Sequence, residues 1–593
     1  MRLLRLRRLV AFITALGLVA VGLASCGPAG TAVPEPTAAP TAERTPEATP
    51  EPQIPRGGML TMGMWQDQGT NLNPFLQGSA ANYMHVPALQ RLIDWDPDGN
   101  AYPVLATEVP TLENGGVSED GKTITYNLRQ GVMWADAEPF TCEDVKFTIE
   151  AVQNPDNSVA SRAGYDSVES VQCPDELTAV VKFSEFYAPW ITIPQFVVPK
   201  HILGQAPTWN DATWNQYLLG TGPFYITENV SGDHVTWEKN PYYWEAGKPY
   251  LDKFIIRYVP SREAGIALLI AGETDIFLDV TEADIPGLMA EEGVGVWHPK
   301  GNGVERLVIN MSAPSGPNAG NPDYPHPFLG DVRVRRAIEL AIDKQAIVDS
   351  LYFGYADVGT TECPYGWAAD PTIEPSVYDP EQAKGLLEEA GWVDQDGDGV
   401  RECHGCLHAN EGAKAEITLD TSAQKIREDA GALLQQYMAD VGILMHVETQ
   451  QFAELFGGWA DGGSGAQGTF DIHMWADLTG VDPLSAVTGK YHSSQIPISA
   501  TECGYCWNWS RYHNEEFDQL LEENAAEPDQ ASRTELFSRI YRMIQEDVPA
   551  IYLFSRMPGA GVRDEVKGLL GPWNEANGFG FVTSYLQDVY VER

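Results

Sequence analysis

The sequence predicts an α/β fold in which strands and helices alternate along the whole chain. Residues 124–128 alternate apolar and polar side chains, which is typical of a strand with one buried face. The segments after Thr141 and Asp379 instead repeat apolar residues at helical spacing behind good N-cap residues. Residues 57–593 are too many for one hydrophobic core, so we expect two or three domains.

The first of these helices is predicted to begin at Thr141. Asp144 stands three residues later, where its carboxylate can accept a hydrogen bond from the N-cap backbone. Val145, Ile149 and Val152 then follow at the spacing of one helical face. This pattern indicates an amphipathic helix.

The second helix is predicted to begin after Asp379. Pro380 is favoured at the first helical position, and Gln382 occupies the capping-box position. The apolar repeat continues to Ala390, after which Gly391 is a typical C-terminal stop. Strands separated by such helices along the chain indicate α/β lobes.

Composition limits the classes of partner and activity. The formal net charge is -45, so the surface would repel a phosphate backbone, and we expect no nucleic-acid partner. The sequence has neither a G-x-x-x-x-G-K-[ST] loop nor an H-E-x-x-H motif. Residues 462–466 (GGSGA) lack the final glycine of a nucleophile elbow. We therefore expect a protein that is not an enzyme and that requires no cofactor.

Residues 1–25 predict an export signal. Four arginines precede an apolar stretch at residues 9–24, which is short for a membrane span, and small residues stand before Cys26. Residues 23–26 (LASC) resemble the bacterial lipobox, in which the cysteine becomes the lipidated first residue of the mature protein. The alternative is an ordinary cleaved signal peptide followed by a chance cysteine.

Residues 26–56 predict a disordered tether, because nearly all of them are Pro, Thr, Ala, Glu or Gly and none is aromatic. Beyond the tether no run reaches the roughly 18 apolar residues that a transmembrane helix requires. We therefore expect the protein to be held by its lipid anchor at the extracytoplasmic face of the cell membrane, in the periplasm or at the cell surface.

Cysteines form a separate pattern. An oxidising compartment favours disulfides, but the number of cysteines after Cys26 is odd, so one thiol is left over. Two C-x-x-C pairs are compatible with two local disulfides, with a cross-link between the pairs or with one Cys₄ zinc site. The disulfide candidates are Cys142 with Cys173, and the C-x-x-C pairs Cys403 with Cys406 and Cys503 with Cys506; Cys363 is the seventh cysteine.

Residues 394–399 (DQDGDG) place carboxylates at alternate positions and a glycine at the sixth, as in the first half of an EF-hand calcium loop. The twelfth position is Gly405, where an EF-hand has a bidentate glutamate. We expect either a structural Ca²⁺ site or an acidic turn that binds nothing. The candidate ligands are Asp394, Asp396, Asp398, the carbonyl of Val400 and Glu402.

Several segments occur in a fixed order from residue 57 onwards. They are residues 57–61 (GGMLT), 71–75 (NLNPF), 128–139 (LRQGVMWADAEP), 220–224 (GTGPF), 240–244 (NPYYW), 272–276 (GETDI), 331–343 and 390–392 (AGW). Together they resemble the large solute-binding proteins of ABC importers for dipeptides, oligopeptides and nickel, known as solute-binding family 5. Ala137 stands where these proteins have glycine, so we expect that turn to form without glycine's conformational freedom.

The resemblance implies a two-lobed periplasmic-binding-protein fold, type II-like and of the large peptide-binding class, that closes on its ligand about a hinge. The chain is expected to cross between the lobes near Val308 and Leu553. The expected ranges are 57–303 for the first lobe, 97–216 for a subdomain inserted in it, 304–555 for the second lobe and 556–593 for the return to the first lobe.

The resemblance also implies a function. The protein is expected to capture a peptide-like solute by hinge closure and to deliver it, unchanged, to an ABC permease. An oligosaccharide or a metal complex is an alternative ligand on the same scaffold, and a surface-anchored hydrolase is an alternative of a different class. We expect a monomer.

Ligand contacts are expected where the lobes meet. Residues 475–477 (WAD), followed by Asp482 and Pro483, resemble the family segment whose aspartate meets the α-amino group of a peptide. Asp477 is therefore the expected partner of a ligand ammonium, because a desolvated cation requires a charged, hydrogen-bonded partner. Aromatic residues that face the cleft in relatives add further candidates: Trp475, Trp367, Trp509 and Tyr83.

Overall fold

The computed structural model of the chain describes residues 54–593, apart from residues 66, 68, 77–81, 97–98, 300, 302, 505, 557–558 and 572–581. Ile54–Arg593 forms one compact unit. The predicted signal peptide, Cys26 and the tether up to residue 53 lie outside the described residues, and they stay predictions. Within the described part of the chain, none of the helices combines the length and the apolar character needed to cross a membrane.

The strands pair into two large sheets and several small ones. In chain order they are β1 (Met59–Met64), β2 (Ile93–Trp95), β3 (Ala101–Pro103), β4 (Thr123–Asn127), β5 (Val168–Asp175), β6 (Thr178–Phe183), β7 (Phe224–Val230), β8 (His234–Lys239), β9 (Lys253–Tyr258), β10 (Ile276–Val280), β11 (Val294–Trp297), β12 (Gly303–Ile309), β13 (Asp357–Val358), β14 (Trp392–Val393), β15 (Glu402–Cys403), β16 (Glu416–Ser422), β17 (Leu444–Gln450), β18 (Ile472–Leu478), β19 (Ala550–Arg556), β20 (Gly559–Arg563), β21 (Val566–Lys567) and β22 (Tyr590–Val591).

Helices lie between these strands along most of the chain. They are α1 (Cys142–Gln153), α2 (Lys200–Leu203), α3 (Arg262–Ile270), α4 (Ile285–Leu288), α5 (Val332–Ala341), α6 (Lys344–Leu351), α7 (Pro380–Glu389), α8 (Lys425–Asp440), α9 (Phe452–Phe456), α10 (Ser464–Gln467), α11 (Leu484–Tyr491), α12 (Glu515–Ala526) and α13 (Gln530–Asp547). The predicted α/β class is confirmed.

The first large sheet has the strand order β11-β20-β10-β1-β9-β8-β7. Its centre is parallel, because β1 pairs in the same direction with both β9 and β10. Trp237 of β8 stacks on Phe254 of β9 with ring centroids 4.4 Å apart, and Phe224 of β7 meets Phe254 edge-on. These fully buried rings belong to the core of the first lobe.

The second large sheet has the order β13-β19-β12-β18-β16-β17. β12 runs antiparallel to β18 and β19, whereas β16 is parallel to β17 and β18. Leu307 and Ile309 of β12 are fully buried and pack in one core with Val334 and Ile338 of α5. This sheet and its helices form the second lobe.

The chain passes between the two sheets twice. It leaves β11 at Trp297 and enters β12 at Gly303, and it leaves β19 at Arg556 and enters β20 at Gly559. The predicted two-lobed architecture is confirmed. Val308 and Leu553 lie inside β12 and β19 of the second sheet, so the chain does not cross between the lobes at these residues.

A three-stranded sheet in the order β4-β6-β5 lies within the predicted inserted subdomain. The predicted strand at residues 124–128 is β4, and the predicted helix after Thr141 is α1. The Asp144 carboxylate accepts the Thr141 backbone N–H at 2.9 Å, as the capping box requires. A disulfide between Cys142 and Cys173 links the start of α1 to β5.

The helix predicted after Asp379 is α7. The Asp379 carboxylate accepts the backbone N–H of Gln382 at 2.8 Å, with Pro380 at the first helical position. Gly391 follows with a positive φ of 89°, a conformation typical of the residue after a helix. Both local start signals therefore identified real helices.

The turn at Ala137 corrects one expectation. Ala137 has a φ of 72°, so the turn adopts the left-handed conformation although the residue is not glycine. The turn closes through the Ala137 N–H, which donates to the Trp134 carbonyl at 3.0 Å. The surrounding strand and helix impose this geometry on a residue that carries a Cβ atom.

Candidate functional site

A cavity of about 430 Å³ lies between the two lobes. The first lobe and its inserted subdomain contribute one wall, and the segment at residues 478–485 of the second lobe contributes the other. The lining residues are Pro74, Phe75, Arg91, Trp95, Ala160, Ser161, Ala163, Tyr165, Tyr187, Pro189, Thr192, Ile193, Gln195, Leu478, Thr479, Gly480, Val481, Asp482 and Ser485. This volume lies in the usual range of about 300–1,000 Å³ for small-molecule sites.

The first-lobe wall includes four aromatic side chains, those of Phe75, Trp95, Tyr165 and Tyr187. Phe75 stacks on Trp209 with ring centroids 5.6 Å apart and meets Tyr165 edge-on at 6.4 Å. The backbone N–H of Gln195 donates to the Tyr165 hydroxyl at 2.9 Å, which fixes that ring. Burial raises the pKa of the Tyr187 hydroxyl, so Tyr187 stays neutral in the cavity.

Arg91 is the cationic side chain of this wall. Its Nη1 donates to the Asp94 carboxylate at 2.8 Å and its Nε donates to the Gln195 carbonyl at 3.0 Å. The guanidinium also lies over the rings of Trp95 and Phe196, at 5.5 and 4.6 Å from their centroids. Among the described residues, no hydrogen-bond acceptor is paired with its Nη2 atom, so one edge of the guanidinium is available to a ligand in the cavity.

Buried contacts on the side away from the cavity fix the second-lobe wall. Asp482 forms a bidentate pair with Arg533, with N–O distances of 2.6 and 2.9 Å, and both side chains are buried. Trp367 donates its Nε1–H to the Val481 carbonyl at 2.7 Å, and Arg533 lies over the Trp367 ring. Trp367 therefore supports the cavity wall without lining it.

A cluster of four charged side chains, Arg306, Glu362, Asp477 and Lys490, lies next to this wall. We call it the charge cluster. Arg306 pairs with Glu362 and Asp477, and Lys490 pairs with Glu362 and, at 2.6 Å, with Asp477. Arg306 and Glu362 are fully buried, whereas the Asp477 side chain is 31% exposed. The two formal positive charges balance the two negative ones. The Asp477 carboxylate therefore already has two cationic partners, Arg306 and Lys490.

The ionisation states follow from burial and pairing. Burial and the charge of Arg306 lower the pKa of Lys490 to about 8, although Glu362 opposes this change. Burial also disfavours the charged form of Glu362, but Arg306 and Lys490 outweigh it and lower the pKa of that carboxyl. At neutral pH Arg306 and Lys490 are therefore cationic and Glu362 is anionic.

Trp475 belongs to an aromatic cluster in the second lobe. Its ring lies 5.5 Å from Phe456, 5.8 Å from Trp507 and 5.7 Å from Trp509. Trp475 and Trp509 are buried, whereas Trp507 is 44% exposed. Arg306 of the charge cluster lies over the Trp475 ring at 4.8 Å. Trp475 therefore joins this aromatic cluster to the charge cluster.

None of the five predicted ligand contacts lines the cavity. Asp477 and Trp475 lie on β18, the strand that ends at Leu478 of the cavity wall. Trp367 contacts Val481 of the wall from the side away from the cavity. Trp509 donates its Nε1–H to the Cys506 carbonyl, and Tyr83 packs against the core of the first lobe. As ligand contacts all five stay predictions. The sequence carried no motif that would have marked Arg91 or Tyr187.

One group of residues has the composition of a hydrolytic triad. Ser464 Oγ lies 3.1 Å from His473 Nε2, and Asp420 Oδ2 lies 3.7 Å from the same nitrogen. A triad requires serine and carboxylate on opposite ring nitrogens, so that histidine can move a proton between them. Burial and Arg511 also lower the pKa of His473 to about 3. This arrangement does not activate Ser464.

Six of the seven described cysteines form disulfides. Disulfides join Cys142 with Cys173, and each C-x-x-C pair is closed on itself: Cys403 with Cys406 and Cys503 with Cys506. In this state neither C-x-x-C pair offers thiolates to zinc. Cys363 is free and buried, and burial and the adjacent Glu362 raise the pKa of its thiol to about 12. Such a thiol is unreactive.

The acidic loop at residues 394–399 brings its three aspartates together. One carboxylate oxygen from each of Asp394, Asp396 and Asp398 lies within 4.8 Å of the other two. All three side chains are exposed. Glu402 follows the loop at the start of β15 and is buried. The loop lies in the second lobe, and none of its residues lines the cavity.

Comparison with known proteins gives consistent results. The profile of a family described as bacterial extracellular solute-binding proteins, family 5 (middle region), matches residues 100–496. The oligopeptide-binding protein AppA of Bacillus subtilis is 27% identical over 464 residues, which cover 76% of this chain and 77% of AppA. A putative ABC transporter peptide-binding protein of Brucella ovis is 31% identical over 281 residues, 46% of this chain and 50% of that protein.

Solved structures share the fold. The crystal structure of NikA from Brucella suis in complex with Fe(III)-EDTA superposes with a TM-score of 0.73 at 20% sequence identity. The superposition covers 90% of this chain and all of NikA, 100% of its length. At this identity the likeness establishes the two-lobed architecture alone.

Proposed function

Because the chain belongs to the bacterial extracellular solute-binding proteins of family 5, we propose that it captures a peptide-like solute between its lobes and delivers it, chemically unchanged, to an ABC permease. The proposal goes beyond family membership in three respects: the class of solute, the side chains that hold it and the anchoring of the protein.

The cavity between the lobes is the observation that supports this proposal. Its walls come from Arg91 and Tyr187 on one side and from Thr479 and Asp482 on the other. A ligand in this position contacts both lobes at once. Lobe closure is an equilibrium that a ligand shifts only by binding the closed form more tightly. A cavity with walls from both lobes meets that condition.

The chemistry of the walls favours a short peptide. The cavity combines aromatic and aliphatic surfaces with a few polar groups, and a peptide offers both apolar side chains and a polar backbone. The free edge of Arg91 is suited to a carboxylate, because a guanidinium binds carboxylates through paired hydrogen bonds. We therefore assign the C-terminal carboxylate of the ligand to Arg91.

Asp477 stays our proposed partner for the ligand ammonium. It is the partly exposed member of the charge cluster, and it lies next to Leu478 of the cavity wall. Because Lys490 pairs with it at 2.6 Å, an incoming ammonium must displace that lysine. The lowered pKa of Lys490, about 8, makes loss of this partner less costly than for an ordinary lysine.

A peptide series with blocked ends tests both assignments. Binding is measured by calorimetry for a tripeptide library and then for the best ligand with free ends, an N-acetylated end or a C-amidated end. If Arg91 holds the carboxylate, Arg91→Gln weakens binding of the free peptide by about 10- to 100-fold, since a charged hydrogen bond contributes about 1.5–3 kcal/mol. The same variant does not change binding of the amidated peptide.

Arg129 provides a matched control. Like Arg91, it donates to a backbone carbonyl (Val104, 2.9 Å) and stacks on a tryptophan (Trp244, 4.1 Å), but it does not line the cavity. We expect Arg129→Gln to bind all three peptides as wild type does. Equal losses for the free and amidated peptides in Arg91→Gln would refute the carboxylate assignment.

The ammonium assignment is tested with the N-acetylated peptide. For Asp477→Asn we expect a loss of affinity for the free peptide and no loss for the acetylated peptide.

Mass spectrometry of the solute that co-purifies with natively produced protein decides between ligand classes. Short peptides would support the proposal, whereas an oligosaccharide or a metal complex would replace it. The same measurement after prolonged incubation shows whether the solute is altered, and cleavage of the peptide would contradict a pure binding role.

We further propose that the protein acts as a monomer anchored through Cys26 at the extracytoplasmic face of the membrane. The lipobox-like residues 23–26 and the aromatic-free segment at 26–56 support this. The permease would then meet the ligand-bound protein within reach of the tether. Sedimentation of the chain without residues 1–26, with and without ligand, tests the monomeric state.

A further inference from the structure

The acidic loop at residues 394–399 lies in the connection between the two strands of a hairpin. β14 and β15 pair antiparallel, with Val393 opposite Glu402 and Trp392 opposite Cys403. The hairpin is fixed to the second lobe, because Trp392 is buried and meets Phe328 edge-on at 4.7 Å. The loop therefore presents its side chains from an anchored base.

Three aspartates of the loop face one another. One oxygen from each of Asp394, Asp396 and Asp398 lies within 4.8 Å of the other two. Oxygen atoms that all ligate one ion at about 2.3–2.6 Å lie at such separations from one another. Backbone N–H groups of the loop donate to all three carboxylates at 2.7–3.1 Å, and a bound cation would offset the repulsion that remains between them.

Glu402 provides an independent observation. Its side chain is buried, at 9% exposure, and its Oε2 accepts the backbone N–H of Gln395 inside the loop at 3.3 Å. The carboxylate is thus directed at the loop. Its Oε1 is buried and has no hydrogen-bonding partner among the residues that the structure describes. A buried, unpaired carboxylate oxygen is costly, and a cation in the loop would satisfy it.

The nearby protein cation compensates only part of the charge. Lys414 donates from Nζ to Asp398 Oδ2 at 2.5 Å, and its side chain is 44% exposed. Four carboxylates and one ammonium leave a net charge of about -3 at the loop, which is typical of a calcium loop. Lys414 can move away because it is exposed.

We propose that this loop binds one Ca²⁺ ion and that the ion stabilises the second lobe. The ligands are the carboxylates of Asp394, Asp396, Asp398 and Glu402 and the carbonyl of Val400. Ca²⁺ accepts this many oxygen ligands in an irregular arrangement, whereas Mg²⁺ requires a near-ideal octahedron and retains water. Gly405 at the twelfth position supplies no bidentate carboxylate, so the affinity is that of an extracellular module, about 10⁻⁴–10⁻³ M.

Calorimetric titration of chelator-treated protein with CaCl₂ tests the site. We expect one ion per chain for the wild type. Asp396→Asn and Glu402→Gln each remove one charged ligand and weaken Ca²⁺ binding by at least about tenfold. Asp349→Asn, which changes an exposed aspartate on α6 of the same lobe, leaves binding unchanged. Wild-type protein without a saturable binding event up to 10 mM, about ten times the weakest expected dissociation constant, would overturn the proposal.

Tb³⁺ luminescence provides a readout independent of solute binding. Trp392 lies two residues before Asp394 and can sensitise a bound lanthanide when tryptophan is excited. We expect Tb³⁺ emission that decreases when Ca²⁺ displaces the bound Tb³⁺. Mg²⁺ at the same concentration should not decrease it. Asp396→Asn should abolish this emission, while its far-UV circular dichroism matches that of the wild type. This variant therefore tests the site even if Glu402→Gln fails to fold. Equal emission from Asp396→Asn and Asp349→Asn would show nonspecific binding to the acidic surface and refute the site.

Discussion

Lys490 Nζ lies 2.6 Å from the carboxylate of Asp477. The residue expected to meet a ligand ammonium is therefore already paired with an ammonium from its own chain. Lys490 is on α11 and Asp477 on β18, so the pair joins a helix to the strand that borders the cavity. Lys490 also pairs with the buried Glu362, so the Lys490–Asp477 pair is continuous with the buried part of the charge cluster.

The charge cluster predicts an asymmetry between its two acids. Glu362→Gln leaves Arg306 and Lys490 with a single anionic partner in a buried site, and we expect it to lower the free energy of unfolding by about 3–5 kcal/mol. Asp477→Asn removes a partly exposed charge, so we expect a smaller loss, of about 1–2 kcal/mol. Urea denaturation of both variants without ligand measures this difference.

A double variant separates the structural role of Asp477 from a ligand role. If Asp477 mainly neutralises Lys490, then Asp477→Asn combined with Lys490→Met recovers stability that Asp477→Asn loses alone. Strictly additive losses would contradict the pairing seen in the structure. Peptide affinity of the double variant then reports ligand recognition without the competing lysine.

Ala137 predicts a stabilising substitution. Its left-handed conformation costs an alanine about 1–2 kcal/mol, whereas glycine adopts it freely but loses about 0.4–1 kcal/mol through the entropy of the unfolded chain. We expect Ala137→Gly to raise the free energy of unfolding by about 0.5–1 kcal/mol. The measurement is chemical denaturation of the variant beside wild type.

Ala135 is the control for this substitution. It lies in the same turn but is not among the residues with a positive φ. Ala135→Gly should therefore only destabilise, by about 0.4–1 kcal/mol. If both glycine variants lose stability equally, the strain assigned to Ala137 is absent.

The local elements were predictable because their signals are local. A cap at Thr141 or Asp379, followed by a helical apolar repeat, specifies a helix start whatever the rest of the chain does. Ala137 shows the limit of this reasoning. The sequence indicated only that the turn forms without glycine's conformational freedom, and the left-handed geometry that Ala137 adopts comes from the tertiary structure around the turn.

The place of the cavity between the lobes was expected from the family resemblance, but the residues that line it were not predictable, because they come from distant segments of the chain. Arg91 and Asp482 face one space only after two lobes have folded and packed. The aromatic candidates were chosen because they fall in regions that face the cleft in relatives, but such a position does not distinguish packing from ligand contact. Trp509 packs in the second lobe, and Trp367 supports Val481. The acidic loop was identifiable because its alternating aspartates are contained in a single hairpin.

Anchoring through Cys26 predicts that loss of this cysteine changes the cell fraction in which the protein is found. Lipidation of Cys26 would place the wild-type protein in the membrane fraction of the producing bacterium. Cys26→Ser removes the acceptor thiol, so we expect the protein to shift to the soluble extracytoplasmic fraction with its fold intact. Fractionation measures this, and the mass of the N-terminal peptide should show the acyl modification in wild type alone. Equal membrane association of both forms would rule out Cys26 as the anchor.

Asp420 predicts a dependence of stability on pH. It lies on β16 opposite Glu448 of β17, accepts a hydrogen bond from Gln450 at 2.7 Å and is buried. Burial, Glu448 and Asp471 together raise the pKa of its carboxyl to about 7. The unfolded chain ionises Asp420 near pH 4, so between about pH 4 and 7 the folded state binds more protons than the unfolded state. This group's contribution to stability is therefore present below about pH 4 and is lost as the pH rises through 7.

Asp420→Asn removes this dependence. We expect the variant to be more stable than wild type at pH 8, by on the order of 1–2 kcal/mol after solvent screening, and the difference to vanish near pH 4. Asp440→Asn is the control, because Asp440 also accepts a glutamine hydrogen bond (Gln436, 2.8 Å) but is exposed. Denaturation curves at several pH values measure both. Parallel pH profiles for wild type and Asp420→Asn would mean that Asp420 ionises normally in the folded protein.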